Sequence, residues 1–129
     1  MKEKLMEQAR LAMEKAYAPY SHFQVGAALL GEDGNVYTGC NVENAAYSPT
    51  MCAERVAIGK AVSNGCRRFT ALAVCGGDRG QLRNFCTPCG VCRQVLAEFC
   101  SADFPVYVTD GSEIKTFPLA QLLPEHFSL

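Results

Sequence analysis

At 129 residues the chain can bury a core without disulfide support, and 49% hydrophobic against 19% charged residues excludes a disordered polymer. A formal net charge of −1 gives no electrostatic reason to expect a nucleic-acid surface, and no apolar run approaches a membrane span. The eight cysteines arrive without a visible signal peptide, so a reducing cytoplasm is expected rather than a secreted disulfide scaffold, with residues 1–129 forming one domain.

Leu5, Met6, Ala9, Ala12, Met13 and Ala16 share one helical face, with Lys4, Glu7, Arg10 and Glu14 outside it. That pattern predicts an amphipathic first helix ending before Pro19. Gln24 to Leu30 reads as a strand whose small residues Gly26, Ala27 and Ala28 let another element approach closely. Turn chemistry at Gly31-Glu32-Asp33-Gly34 returns the chain as a second strand from Asn35 to Asn41. A loop from Asn44 to Thr50 leads into a helix from Cys52 to about Asn64, stopped by Gly65. Phe69 to Cys75 is almost continuously apolar, as expected of a strand covered on both faces. Gly76 to Asn84 reads as a polar loop, Cys89 to Glu98 as a helix, and Val106 to Thr109 as a short strand. Glu113 to Phe117 supplies a fifth strand, and Leu119 to Leu123 a short helix ending at Pro124. Strands alternating with helices predict an α/β fold, a single mixed five-stranded sheet flanked by helices.

The chemistry is concentrated in Met51-Cys52-Ala53-Glu54-Arg55 and Pro88-Cys89-Gly90-Val91-Cys92-Arg93-Gln94. Cys52, Cys89 and Cys92 offer three thiolates, which leaves a fourth tetrahedral position on zinc for water, the arrangement of a catalytic rather than a structural site. Each stretch opens a helix, whose N-terminal partial positive charge favours thiolates. A Cys-x-x-Cys alone would say little, since redox dithiols and structural zinc sites use it too. Joined to Cys-x-Glu, it is the signature of zinc-dependent nucleobase deaminases. Two competing readings are a structural zinc site with Cys86 as fourth ligand, and inert buried cysteines. Glu54 argues against both, because at a helix start it can point towards the metal without binding it.

Over nearly its whole length the chain resembles the small, homotetrameric cytidine deaminases. The resemblance rests on Tyr20-Ser21-His22-Phe23-Gln24-Val25-Gly26-Ala27-Ala28, Asn41-Val42-Glu43-Asn44, the two cysteine stretches, and Leu122-Leu123-Pro124 with Phe127. It implies a three-layer α/β/α catalytic domain that converts cytidine or deoxycytidine and water into uridine or deoxyuridine and ammonia. It further implies one zinc ion per chain on Cys52, Cys89 and Cys92, with Glu54 shuttling protons and Arg55 hydrogen-bonding to the ligand sulfurs. The backbone N–H of Ala53 is placed to hold the pyrimidine carbonyl oxygen, and Phe23 is matched to the residue packed against the ring. Asn41 and Glu43 alternate along a strand end and so project to one side, where an amide and a carboxylate suit a sugar hydroxyl. The resemblance assigns them the ribose, and assigns Phe127 to the active site of a neighbouring subunit in a homotetramer. The expected partner is a nucleoside, with neither nucleic acid nor membrane. His22 reads as a variable loop position, and Cys40, Cys66, Cys75, Cys86 and Cys100 as inert thiols, Cys86 lying nearest the site. Met51 and Thr87 depart mildly from the family pattern without touching the proposed chemistry.

A deaminase of the nucleoside antibiotic blasticidin S shares these zinc signatures, but Asn41-Val42-Glu43-Asn44 matches the plain-ribose pattern. A nucleotide or tRNA deaminase is disfavoured by the lack of an added phosphate-binding segment and by cysteine, not histidine, before Ala53-Glu54. A non-catalytic zinc protein would have no use for Glu54.

Overall fold

In the computed structural model, which describes residues 1–129, the layers are set by β1 (Gln24–Gly31) and β3 (Phe69–Asp78), paired antiparallel. β2 (Val36–Cys40) flanks β1 antiparallel, while β5 (Pro105–Thr109) lies parallel to β3 and β6 (Ile114–Pro118) antiparallel to β5. The sheet therefore runs β2-β1-β3-β5-β6, a mixed sheet with one parallel pair. These five strands are the ones expected. A sixth, the two-residue β4 (Gln81–Leu82), turns back on the end of β3 and is an addition.

Successive side chains of a strand point to opposite faces, and both faces are covered. On one, Ala28, Ala71, Ala73 and Cys75 meet Leu5, Met6, Ala9 and Met13 of α1 (Lys2–Met13). On the other, Ala27, Leu29, Leu72, Val74, Val106 and Val108 form a larger core. Ala53, Ala57, Ile58 and Ala61 of α2 (Ala53–Ser63) and Leu96 of α3 (Gly90–Phe99) close it. The result is the expected three-layer α/β/α stack, with both cysteine-bearing helices on one side. The chain ends in a short α4 (Leu119–Leu122) and a tail.

Two boundaries differ from expectation. The first helix stops at Met13, so Ala16 lies beyond it. The backbone there is captured by the end of β2: Tyr17 N–H donates to the Asn41 carbonyl at 3.0 Å, and Glu43 N–H to the Tyr17 carbonyl at 2.9 Å. The predicted loop over 76–84 is a correction too, since β3 continues through Asp78 and β4 pairs with it, Gly77 opposite Leu82. Gly76 and Gly77 give no strand signal of their own; strand pairing alone extends them.

The close approach expected at Gly26 is present, and a second one, not foreseen, lies at Gly39. A Cβ on Gly26 would lie 2.5 Å from the Met13 backbone nitrogen, and one on Gly39 would lie 2.7 Å from that of Ala57. Both helices thus rest directly on strand backbone. Gly39→Ala should lower the free energy of unfolding by about 1–3 kcal/mol, the usual cost of overpacking. Gly59→Ala in α2 meets nothing within 4 Å and should raise it by about 0.5–1 kcal/mol through helix propensity. Urea unfolding of the two variants checks this; equal midpoints would contradict the tight α2–β2 contact.

Candidate metal centre and active site

Cys52 and Cys89 occupy equivalent places, each the N-cap of its helix in extended conformation, and neither side chain caps its helix by a hydrogen bond. Both thiols are left to face one another, with Sγ atoms 3.6 Å apart. Cys92, in the first turn of α3 and fully buried, completes a group whose three sulfur atoms lie within 4.8 Å of one another. Thiolates bound tetrahedrally to zinc at about 2.3 Å stand about 3.8 Å apart, so the donor set fits that ion. Cys86 does not belong to the group. It lies against Gly76 and Phe23, outside the three-sulfur group, and that placement removes the four-cysteine alternative; burial pushes its thiol up to about 12. Burial likewise pushes Cys75 up to about 11 and Cys100 to about 12, consistent with inert thiols.

The electrostatics separate the ligands. Cys52 is brought down to about 5, first by a hydrogen bond from Cys92 and then by Arg55 and Cys89, against the opposing effect of burial. Cys92 is correspondingly raised, because it keeps the proton that the Cys52 thiolate accepts. Arg55 Nη2 donates to Cys52 Sγ and to the Thr50 carbonyl, both at 3.4 Å, and the guanidinium is held charged mainly by Cys52. Its buried Nε has no partner. Three thiolates crowd negative charge together, and Arg55 with two helix N-termini opposes it.

Glu54 is the second residue of α2 and only 3% exposed. Burial, and then the charge on Cys52, raise its carboxyl to about 7. A buried carboxyl beside a metal-binding group, able to hold or release a proton near neutrality, has the properties of a general acid and base. Ala53 is fully buried before it, and no loop carbonyl takes up its N–H.

Three of the remaining predicted residues, Phe23, Asn41 and Glu43, are brought together with one another. Phe23 is 37% exposed and packs over Gly76, where a Cβ would come within 2.8 Å of its ring. Asn41 is buried; its Oδ1 accepts from the Val25 N–H at 2.9 Å and its Nδ2 donates to the Phe23 carbonyl at 2.8 Å. Glu43 accepts from the N–H groups of Tyr20 and Ser21 at 3.0 and 3.1 Å, and from the Ser21 hydroxyl. That hydroxyl, first among the causes, lowers the Glu43 carboxyl below its ordinary range. Asn41 and Glu43 therefore grip, from opposite ends, the segment that presents Phe23. Phe127 stands apart from this group, 68% exposed on the tail.

Two residues with structural work here escaped the sequence reading. Arg93 donates to the Pro88 and Leu122 carbonyls at 2.6 and 2.7 Å and to the Thr87 hydroxyl at 3.2 Å. Gln94 donates to the Phe127 carbonyl at 3.0 Å. The one available signal was a charged side chain between Cys92 and Val95 on a helix that packs on the core.

Comparison with known proteins agrees with this geometry. The sequence profile of the cytidine and deoxycytidylate deaminase zinc-binding region matches residues 1–108. A cytidine deaminase of Sporosarcina psychrophila is 54% identical over 127 residues, covering 98% of this chain and 90% of its own. One from Halalkalibacterium halodurans is 46% identical over 128 residues, covering 98% and 94%. The crystal structure of cytidine deaminase from Burkholderia pseudomallei superposes with a TM-score of 0.90 at 43% identity, over 98% of this chain and 99% of the other. By sequence, by fold and by its three converging thiols, the chain belongs to the cytidine and deoxycytidylate deaminase family.

Proposed function

We propose that the chain, as one catalytic domain over 1–129, hydrolytically deaminates cytidine and deoxycytidine, releasing ammonia, with Cys52, Cys89 and Cys92 as the zinc ligands. The observation that carries the reading is the convergence of three thiols, with the buried Glu54 two residues after Cys52 at the start of α2. Zinc held there by the three cysteines would supply an acidified water as nucleophile. As an attacking water bonded to C4 of the pyrimidine, Glu54 would take one of its protons and deliver it to N3. The second proton reaches the amino nitrogen through the same carboxylate, the C4–N bond breaks, and ammonia leaves. One carboxylate thus acts as base and then as acid. The free Ala53 N–H is suited to the pyrimidine carbonyl oxygen, Phe23 to the ring face, and Asn41 and Glu43 to the ribose. Arg55 steadies the ligand thiolates.

Assembly and location belong to the same proposal. The tail aromatic Phe127 is 68% exposed, and Tyr17, Tyr20, Tyr47 and Val91 are each more than half exposed, an amount of apolar surface suited to burial between subunits. A homotetramer in which Phe127 enters a neighbour's active site accounts for it. All eight cysteines are free, which fits a reducing cytoplasm. No helix is long and apolar enough to cross a membrane.

Glu54→Gln is expected to retain zinc and fold while kcat falls by at least about 10²–10⁴-fold, the range for positioned acid–base catalysis, and Cys89→Ala to lose the metal. Metal analysis with ultraviolet assay of cytidine checks both; a tenth of wild-type kcat in Glu54→Gln would refute the assignment. Free cytosine should be rejected relative to cytidine and deoxycytidine by up to about 10⁴–10⁵ in kcat/KM, since sites built to bind a hydroxyl discriminate on that scale. Comparable values for cytosine and cytidine would remove Asn41 and Glu43 from the ribose. Reassembled mixtures of Glu54→Ala and Phe127→Ala chains should regain activity above the sum of the separate variants. Mixed tetramers verified by mass that stay at that sum would place Phe127 in its own chain's site.

A further inference from the structure

Beyond Leu123 the tail has no hydrogen bond except that from Gln94 Nε2 to the Phe127 carbonyl. Leu122, just before it, is held by Arg93 Nη1 through its carbonyl. The two anchors are consecutive residues of α3, immediately after the ligand Cys92 and one turn after Cys89, whose carbonyl accepts the Arg93 N–H at 2.9 Å. Arg93 also reaches backwards, to the Pro88 carbonyl and the Thr87 hydroxyl, so a single guanidinium joins the segment entering the metal group to the segment leaving for the tail. Backbone carbonyls 34 residues apart in sequence meet on one planar fork that only arginine supplies. Meanwhile the Phe127 ring stays 68% exposed, held at its backbone and free at its side chain.

We propose that Arg93 and Gln94 are positioning residues that fix Phe127 to the metal-bearing helix, so that the tail presents its ring to the pyrimidine at a set distance from α3. This rests on the reading of Phe127 as a substrate-packing residue. The consequence is specific: the aromatic lid takes its position from the same helical turn that holds two of the three thiolates. If that lid serves a neighbouring subunit, the metal helix of one chain supports the substrate of the next. Thr87 and Pro88, before the ligands, and Leu122, before the tail, cannot move independently while Arg93 bridges them.

Gln94→Ala and Arg93→Lys separate this role from general structural support. Gln94 is exposed, so its truncation leaves the core intact; lysine at 93 keeps the charge but cannot span three acceptors. Each is expected to raise KM for cytidine about two- to tenfold, the scale of one hydrogen bond, with the effect on KM rather than on kcat. Neither should add to the KM of a Phe127→Ala variant. One zinc per chain should remain, and trimming of the last residues by a carboxypeptidase, followed by mass spectrometry, should quicken. Should Arg93→Lys fail to fold, Gln94→Ala alone decides. Unchanged KM and trimming in Gln94→Ala, an equal rise in KM with and without Phe127, or loss of zinc in place of a KM effect would each overturn the proposal. Absence of cytidine turnover in the wild-type chain would instead remove the functional reading, while the trimming rates still decided the tether.

Discussion

Three thiol groups brought within 4.8 Å, with a carboxyl beside them, make a concentration of potential negative charge that no protein interior tolerates without compensation. Here two helix N-termini and one guanidinium oppose it before any cation binds. Cys52 and Cys89 sit where helices most often carry a capping serine or aspartate, and neither caps. The helix N-termini, with their partial positive charge, therefore begin at the thiol-bearing residues themselves. For the two N-termini to meet, α2 and α3 must lie on the same face of the sheet, and that requirement shapes the larger core around Ala57, Leu72 and Leu96. α1 closes the other face, with a smaller core and no metal ligand on it.

A second constraint is the irregular path between α1 and β1. Asn41 and Glu43 hold this segment and the start of β1, their side chains taking up N–H groups of Tyr20, Ser21 and Val25 and giving one to the Phe23 carbonyl. Phe23 then rests over Gly76, where any side chain would collide with its ring. The same two polar side chains thus fix the position of the aromatic ring. At the opposite end of the chain the tail is tied to α3 rather than to the sheet.

Much of this was legible in the residues themselves. The helix starts at Cys52 and Cys89, the hairpin of β1 and β2, the buried strand from Phe69, and the three thiolates with Glu54 are local patterns in which periodicity, a turn or a fixed spacing carries the information. The small residues at Gly26 and Ala27 announced a close contact, and α1 provides it at Gly26. The extension of β3 through Gly76 to Asp78 was not legible, because glycine has no strand preference and only pairing with Gln24, Val25 and Leu82 makes those residues extended.

What the sequence by itself determined was the chemistry: three thiols and one carboxyl at spacings that place two thiols at helix starts and the carboxyl one residue inside. Ligand identity is a property of side chains, and side chains are written in the sequence. The tertiary structure alone decided where that chemistry is anchored. Asn41 and Glu43 act on backbone groups of residues 20–25, and Arg93 acts on the carbonyls of Pro88 and Leu122. Every residue has a backbone carbonyl, so no residue type marks those that are called upon; only the fold, by bringing them to one guanidinium, selects them.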